Sequence, residues 1–102
     1  MYLTVFRNRK RPGMDAAAYA ADAQRMVELA SQEPGFRSVK TFHADDGEVV
    51  TISEWESEAA AKAWGRHPEH AAVQARGRGQ YYAWYESISL NDPQIRTFER
   101  HD

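Results

Sequence analysis

The segment from Gln80 to Leu90, QYYAWYESISL, constrains the fold more than any other part of this chain. Its aromatic and β-branched residues predict a strand. One set of alternate positions holds Tyr82, Trp84, Ile88 and Leu90, while the other still holds Tyr81, Ala83 and Tyr85. A sheet with one buried face alternates apolar and polar residues cleanly, so apolar side chains at both parities predict cover on both faces. One cover is this chain's own helices. The other is a second copy, because 102 residues supply a single small core.

The remaining pattern supplies the rest of that architecture. Residues Tyr2 to Lys10 predict a first strand, ended by Pro12-Gly13. Met14 to about Gln32 predicts a helix with Asp15 in its first turn and Tyr19, Ala23, Met26 and Ala30 along one face, stopped by Pro34-Gly35. Phe36 to Ala44 and Glu48 to Trp55 predict a hairpin around Asp45-Asp46-Gly47. Ser57 caps a short helix that stops near Arg66, since Pro68 disfavours a helical conformation in the residue before it. A further helix over 68–77 opens on Pro68 and Glu69 and closes on Gly77 and Gly79. The tail from Asn91 to Asp102, with Ile95 and Phe98, is expected to add an extended edge segment. The order of strand, helix, two strands, helix pair and strand predicts an α+β, ferredoxin-like antiparallel sheet with helices on one face. Two such sheets packed face to face make a dimeric α+β barrel.

Composition narrows the function. No cysteine is present, which excludes thiolate nucleophiles, disulfides and cysteine-ligated metals or clusters. A net charge of −2 argues against a general nucleic-acid binder. The basic run Arg7, Arg9, Lys10 and Arg11 reads as a solvated strand end. Neither a signal core nor a membrane span is visible, so a cytoplasmic location is the expectation. Between Trp55 and Tyr85 the chain concentrates all three tryptophans, His67, His70, Arg76 and Arg78. Aromatics beside titratable groups build a pocket as readily as a core. His67 precedes Pro68 and reads as a helix boundary, and no acidic cluster supports a metal site, so none is expected. Arg76 and Arg78 complement the negative end of the later helix.

Pro34-Gly35-Phe36 before the second strand, Trp55-Glu56-Ser57-Glu58 leading into a helix, Trp64 on it, His67-Pro68-Glu69-His70 and the aromatic last strand together resemble the antibiotic-biosynthesis-monooxygenase family of dimeric α+β barrels. The resemblance covers nearly the whole chain. Relatives include cofactor-free quinone-forming oxygenases, haem-degrading oxygenases and proteins of unknown role, and the fold alone does not choose among them. Haem-degrading relatives share the two tryptophans at the spacing of Trp55 and Trp64. They place an axial histidine ten residues after the second tryptophan, where Gln74 stands here, and an asparagine on the first strand, where Phe6 stands. Glutamine is a poor haem ligand, so both departures argue against haem; His70, one turn before Gln74, is the substitute that reading would need.

The cofactor-free branch implies a homodimer that oxidises a small aromatic phenol or hydroquinone with molecular oxygen and no cofactor. It implies an aromatic pocket with proton-handling and donor groups. Here those are His70 as base or phenolate partner, Asn8 as donor, and Trp64, Tyr82 and Trp84 as walls, with Phe6 and Gln74 as further substrate contacts. Each has a plainer reading. Trp64 is also suited to fill the core, His70 to bond backbone or a paired subunit, and Asn8 to sit at a strand edge. Which aromatic pair of the last strand faces the pocket stays open. A non-catalytic small-ligand or scaffold barrel is the alternative function, with haem degradation third.

Overall fold

The computed structural model describes residues 1–101. Its elements are β1 (Tyr2–Lys10), α1 (Ala16–Ala30), β2 (Phe36–His43), β3 (Val49–Trp55), α2 (Glu58–Gly65), α3 (Pro68–Arg76), a π-helical turn (Gly77–Tyr81) and β4 (Tyr82–Asn91). The strands form one antiparallel sheet in the order β2-β3-β1-β4, the ferredoxin-like arrangement. The helices lie on one face of it.

Local chemistry explains most boundaries. Asp15 is the N-cap of α1 rather than a first-turn residue, its carboxylate accepting the Ala18 N–H at 3.0 Å, so Met14 lies outside the helix. Ser57 caps α2 in the same way. Gly47 takes a φ of +94° in the hairpin, and the Asp46 carboxylate accepts the Glu48 N–H at 2.9 Å. Gly35, at φ +84°, serves two needs: a left-handed turn and close approach, since a Cβ there would lie 2.6 Å from Ala60 Cβ. Pro34-Gly35 therefore seats the start of β2 against α2.

Two expectations need correction. The last strand begins at Tyr82, because the chain leaves α3 through a π turn where a strand from Gln80 was expected. The tail adds no strand: residues 93–101 carry no regular structure, with Ile95 61% and Phe98 84% exposed, and Asp102 lies outside the described residues. No ladder hydrogen bonds hold that segment to the sheet.

A register shift in the β1–β4 ladder decides which side chains meet the helices. Arg9 pairs with Trp84 and Lys10 with Tyr82, which leaves Ala83 as the extra residue of a bulge. Tyr82 thereby joins Tyr85, Ser87 and Ser89 on the helix-covered face. Trp84, Ile88 and Leu90 point to the other face, beside Leu3 and Val5 of β1, and that face stays open with Trp84, Ile88 and Leu90 all exposed. The fully buried apolar residues are few, with Trp55 and Tyr81 the largest.

Candidate functional site

Between the helices and the sheet lies an open cavity of about 440 Å³. Its geometry follows from the short link between α2 and α3. The His67 ring nitrogen accepts the Glu69 N–H at 3.2 Å and caps α3, as a residue before proline is suited to do. This sharp corner folds α3 back, so His70 comes to rest on Trp64. The two rings are 4.3 Å apart and within 12° of parallel, and Trp64 in turn lies 6.4 Å from Trp55. His70 Nδ1 is 3.0 Å from the Trp64 carbonyl. A carbonyl only accepts, so Nδ1 carries the hydrogen and the lone pair is on Nε2, which has no protein partner among the described residues. Burial pushes the His70 pKa below its ordinary value of 6.5; the Trp64 bond opposes this more weakly. The imidazole is thus a neutral, oriented base on the cavity wall.

A second aromatic group closes the end near β4. Phe6 meets Tyr82 at 5.6 Å and Tyr85 at 5.4 Å, and Tyr19 of α1 lies 6.2 Å from Tyr82. Burial holds the Tyr19 and Tyr82 phenols above their usual range, so both stay neutral donors. Beside them, Asp22 accepts from Arg76 Nε at 3.0 Å and Nη2 at 2.9 Å, and from the Tyr81 hydroxyl at 2.6 Å. Arg76 therefore ties α1 to α3 instead of merely facing its own helix end. Arg78 lines the cavity.

The sheet floor of the cavity is unusual for a surface beneath helices. Thr4, Thr51, Ser53, Ser87 and Ser89 line it, with Thr4 paired to Ser53 on one side and Ser89 on the other. On the opposite face the neighbouring positions are Leu3, Val5, Ile52, Ile88 and Leu90. That open face also carries Arg7, Glu54 and Glu86, whereas the covered face sets Phe6, Trp55, Tyr82 and Tyr85 around the hydroxyls. A hydroxyl-bearing floor under an aromatic roof suits a flat ligand that carries oxygens.

The structure brings together His70, Trp64, Tyr82, Phe6 and Gln74 on the cavity wall. Two expected contacts do not reach it. Trp84, expected as a wall, lies on the far face with the Arg7 guanidinium 5.8 Å from its ring centroid, because the bulge separates its side from that of Tyr82. Asn8, expected as a donor to substrate, is 1% exposed and off the cavity lining; its Oδ1 accepts from the Lys10 ammonium and its Nδ2 has no protein partner. Tyr85 belongs to the aromatic pair that the sequence left open as pocket-facing, and it does line the cavity; Tyr19 and the hydroxyl floor were not singled out from sequence. The floor had a signal in the alternate Thr and Ser positions of three strands, whereas Tyr19 had only its place on the inward face of α1. Among the described residues no group of three or more potential metal ligands is found, and no helix is long and apolar enough to cross a membrane.

Comparison with known proteins accords with this geometry. The chain is 36% identical over 89 residues to the uncharacterized protein YqjZ of Bacillus subtilis, covering 87% of this chain and 74% of that protein. Rv0793 from Mycobacterium tuberculosis superposes with a TM-score of 0.80 at 20% identity, over 94% of this chain and 98% of that one. SnoaB, a cofactor-independent oxygenase from Streptomyces nogalater, superposes with a TM-score of 0.75 at 17% identity, over 92% and 94%. At such identities the two structures establish a shared fold. The profile of the antibiotic biosynthesis monooxygenase family matches residues 1–76, and with the fold in agreement this chain belongs to that family.

Proposed function

We propose that the protein is a cofactor-independent monooxygenase that converts a small aromatic phenol or hydroquinone to a quinone. The observation that carries this reading is His70: a neutral imidazole, stacked on Trp64 and oriented by its carbonyl, on the wall of an aromatic cavity. Nε2 takes the phenol proton, and the phenolate passes one electron to oxygen. The superoxide then bonds to a ring carbon, and His70 returns its proton to give a hydroperoxide. Loss of that carbon's hydrogen as a proton breaks the O–O bond, leaving a carbonyl and, after protonation of the departing hydroxide, water. One phenol O–H, one C–H and one oxygen molecule thus become two C=O groups and one water. The protein's part is to position, desolvate and move protons. SnoaB, named as a cofactor-independent oxygenase, shares the fold and supports the reading.

A homodimer belongs to the same proposal. The exposed Trp84, Ile88 and Leu90 form an apolar face that a second sheet would cover.

The test is oxygen uptake by metal-stripped protein on a panel of phenols and hydroquinones, compared with His70→Ala. Enzyme-dependent uptake that falls at least about a hundredfold in the variant, with its circular dichroism unchanged, is the expected result. Full activity in His70→Ala would remove His70 from the chemistry. One observation favours a second reading: among the described residues no carboxylate is hydrogen-bonded to His70, which is oriented by the Trp64 ring and backbone carbonyl. Ligand binding without uptake would select a non-catalytic binding protein, and a Soret band on titration with hemin would select haem.

A further inference from the structure

Lys10 stands apart from the rest of its basic run. Arg7 pairs with Glu48 and Glu86, and Arg9 with Asp46, at the protein surface. Lys10 turns inward. Its ammonium lies 4.5 Å from the Tyr19 ring centroid and 5.4 Å from that of Tyr82, and it donates to Asn8 Oδ1. No carboxylate lies within ion-pair distance of it among the described residues. A half-buried ammonium held only by two π faces and an amide oxygen is a cation that the fold has desolvated without neutralising.

Both rings over which Lys10 sits line the cavity, and Lys10 itself does not. Its field therefore reaches a bound ligand through the Tyr19 and Tyr82 rings, which keep water out of the space they fill. The neighbouring groups leave that charge uncancelled. From α1 it faces Tyr19, and from β4 Tyr82, both phenols that burial keeps neutral. Asp22, one turn along α1, is already engaged by Arg76 and Tyr81. The cations that do line the cavity are Lys62, paired with Glu58 at 3.0 Å, and the exposed Arg78. Asn8, buried and bonded to Lys10, gains a role consistent with its burial: it holds the ammonium in place.

We propose that Lys10 is a positioning residue for an oxyanion, its ammonium held by Asn8 behind Tyr19 and Tyr82 so that the cavity favours the phenolate form of a bound phenol. This rests on the reading of the cavity as a phenol site. It assigns the anion stabilisation to a residue that never touches the ligand, and leaves proton removal to His70.

The test needs no turnover. Wild-type protein, Lys10→Met, Lys10→Arg and Arg78→Gln are titrated with para-nitrophenol across pH, reading the yellow phenolate of the bound fraction. Wild type is expected to bind the phenolate with an apparent pKa about one unit lower than Lys10→Met does, with Lys10→Arg close to wild type. Lys10→Gln replaces Lys10→Met if the latter fails to fold. Equal values in wild type and Lys10→Met would overturn the proposal, as would loss of the shift in Arg78→Gln alone. Absence of any para-nitrophenol binding would overturn it together with the phenol-site reading, whereas binding without a shift would leave that reading intact.

Discussion

At the scale of single residues, His70 combines a fixed tautomer with a lowered pKa. Its neutral form is the useful one, so activity is expected to be flat through neutral pH and to fall only in acid, below the ordinary histidine value of 6.5. Stability follows the same sign. The unfolded chain binds the proton more readily than the folded one, so the contribution is full above 6.5 and is lost as pH falls towards the folded value. Urea titrations should show wild type losing stability relative to His70→Phe as pH falls below 6.5; a difference independent of pH would contradict this. Gly77 gives a second residue-level prediction. Its φ is an ordinary −58°, but a Cβ would lie 2.6 Å from the Tyr82 ring. Gly77→Ala should therefore cost about 1–3 kcal/mol by forcing that ring aside, measurable as a lower urea midpoint with altered near-ultraviolet dichroism. His70 was singled out in the sequence as a histidine on an alanine-rich helix; the structure places it on the cavity wall and also gives it the backbone bond of its plainer reading. The role of Asn8 was not legible in the sequence, because only the three-dimensional neighbours reveal that its oxygen holds Lys10.

At the scale of elements, α1 and the exit of α3 are joined by Asp22, Arg76 and Tyr81. The Arg76 bonds, then the Tyr81 hydroxyl, hold the Asp22 carboxyl below its ordinary value of 3.8. The stabilisation is complete above that value and is lost as pH falls through the lower folded one. Asp22→Asn should cost about 1–2 kcal/mol at neutral pH, since the amide forfeits charge-assisted bonds while keeping the shape. Thermal melts at neutral pH and in acid would check it, and an unchanged neutral-pH melt would show the tie to be idle. The starts of α2 and α3 were readable because Ser57 and His67-Pro68 act within a few residues of themselves, whereas Asp15 was placed one position inside the helix it caps. The bulge opposite Arg9 and Lys10 was not readable, because an extra residue in a strand leaves the local pattern intact and changes only which partner it meets. That single extra residue, Ala83, puts Trp84 on the far face of the sheet instead of the expected cavity wall.

At the scale of the whole molecule, the sheet face away from the helices exposes Trp84, Ile88 and Leu90, with Arg7 and Glu86 beside them. Under the proposed dimer, light scattering should give twice the chain mass, and Ile88→Glu with Leu90→Glu should shift it to monomer, because each would place a carboxylate in a dry interface. A wild-type monomer at micromolar concentration would remove the homodimer from the proposal. The order of elements, the hairpin, the caps of α2 and α3 and the family resemblance were already written in the sequence, all properties carried by neighbours along the chain. Tertiary structure alone decided that Tyr82 faces the cavity and Trp84 does not, that Lys10 lies beneath two rings, and that His70 stacks on Trp64. Each of these depends on a register or a corner that brings distant or oppositely facing side chains together, and local sequence does not encode contact across the sheet.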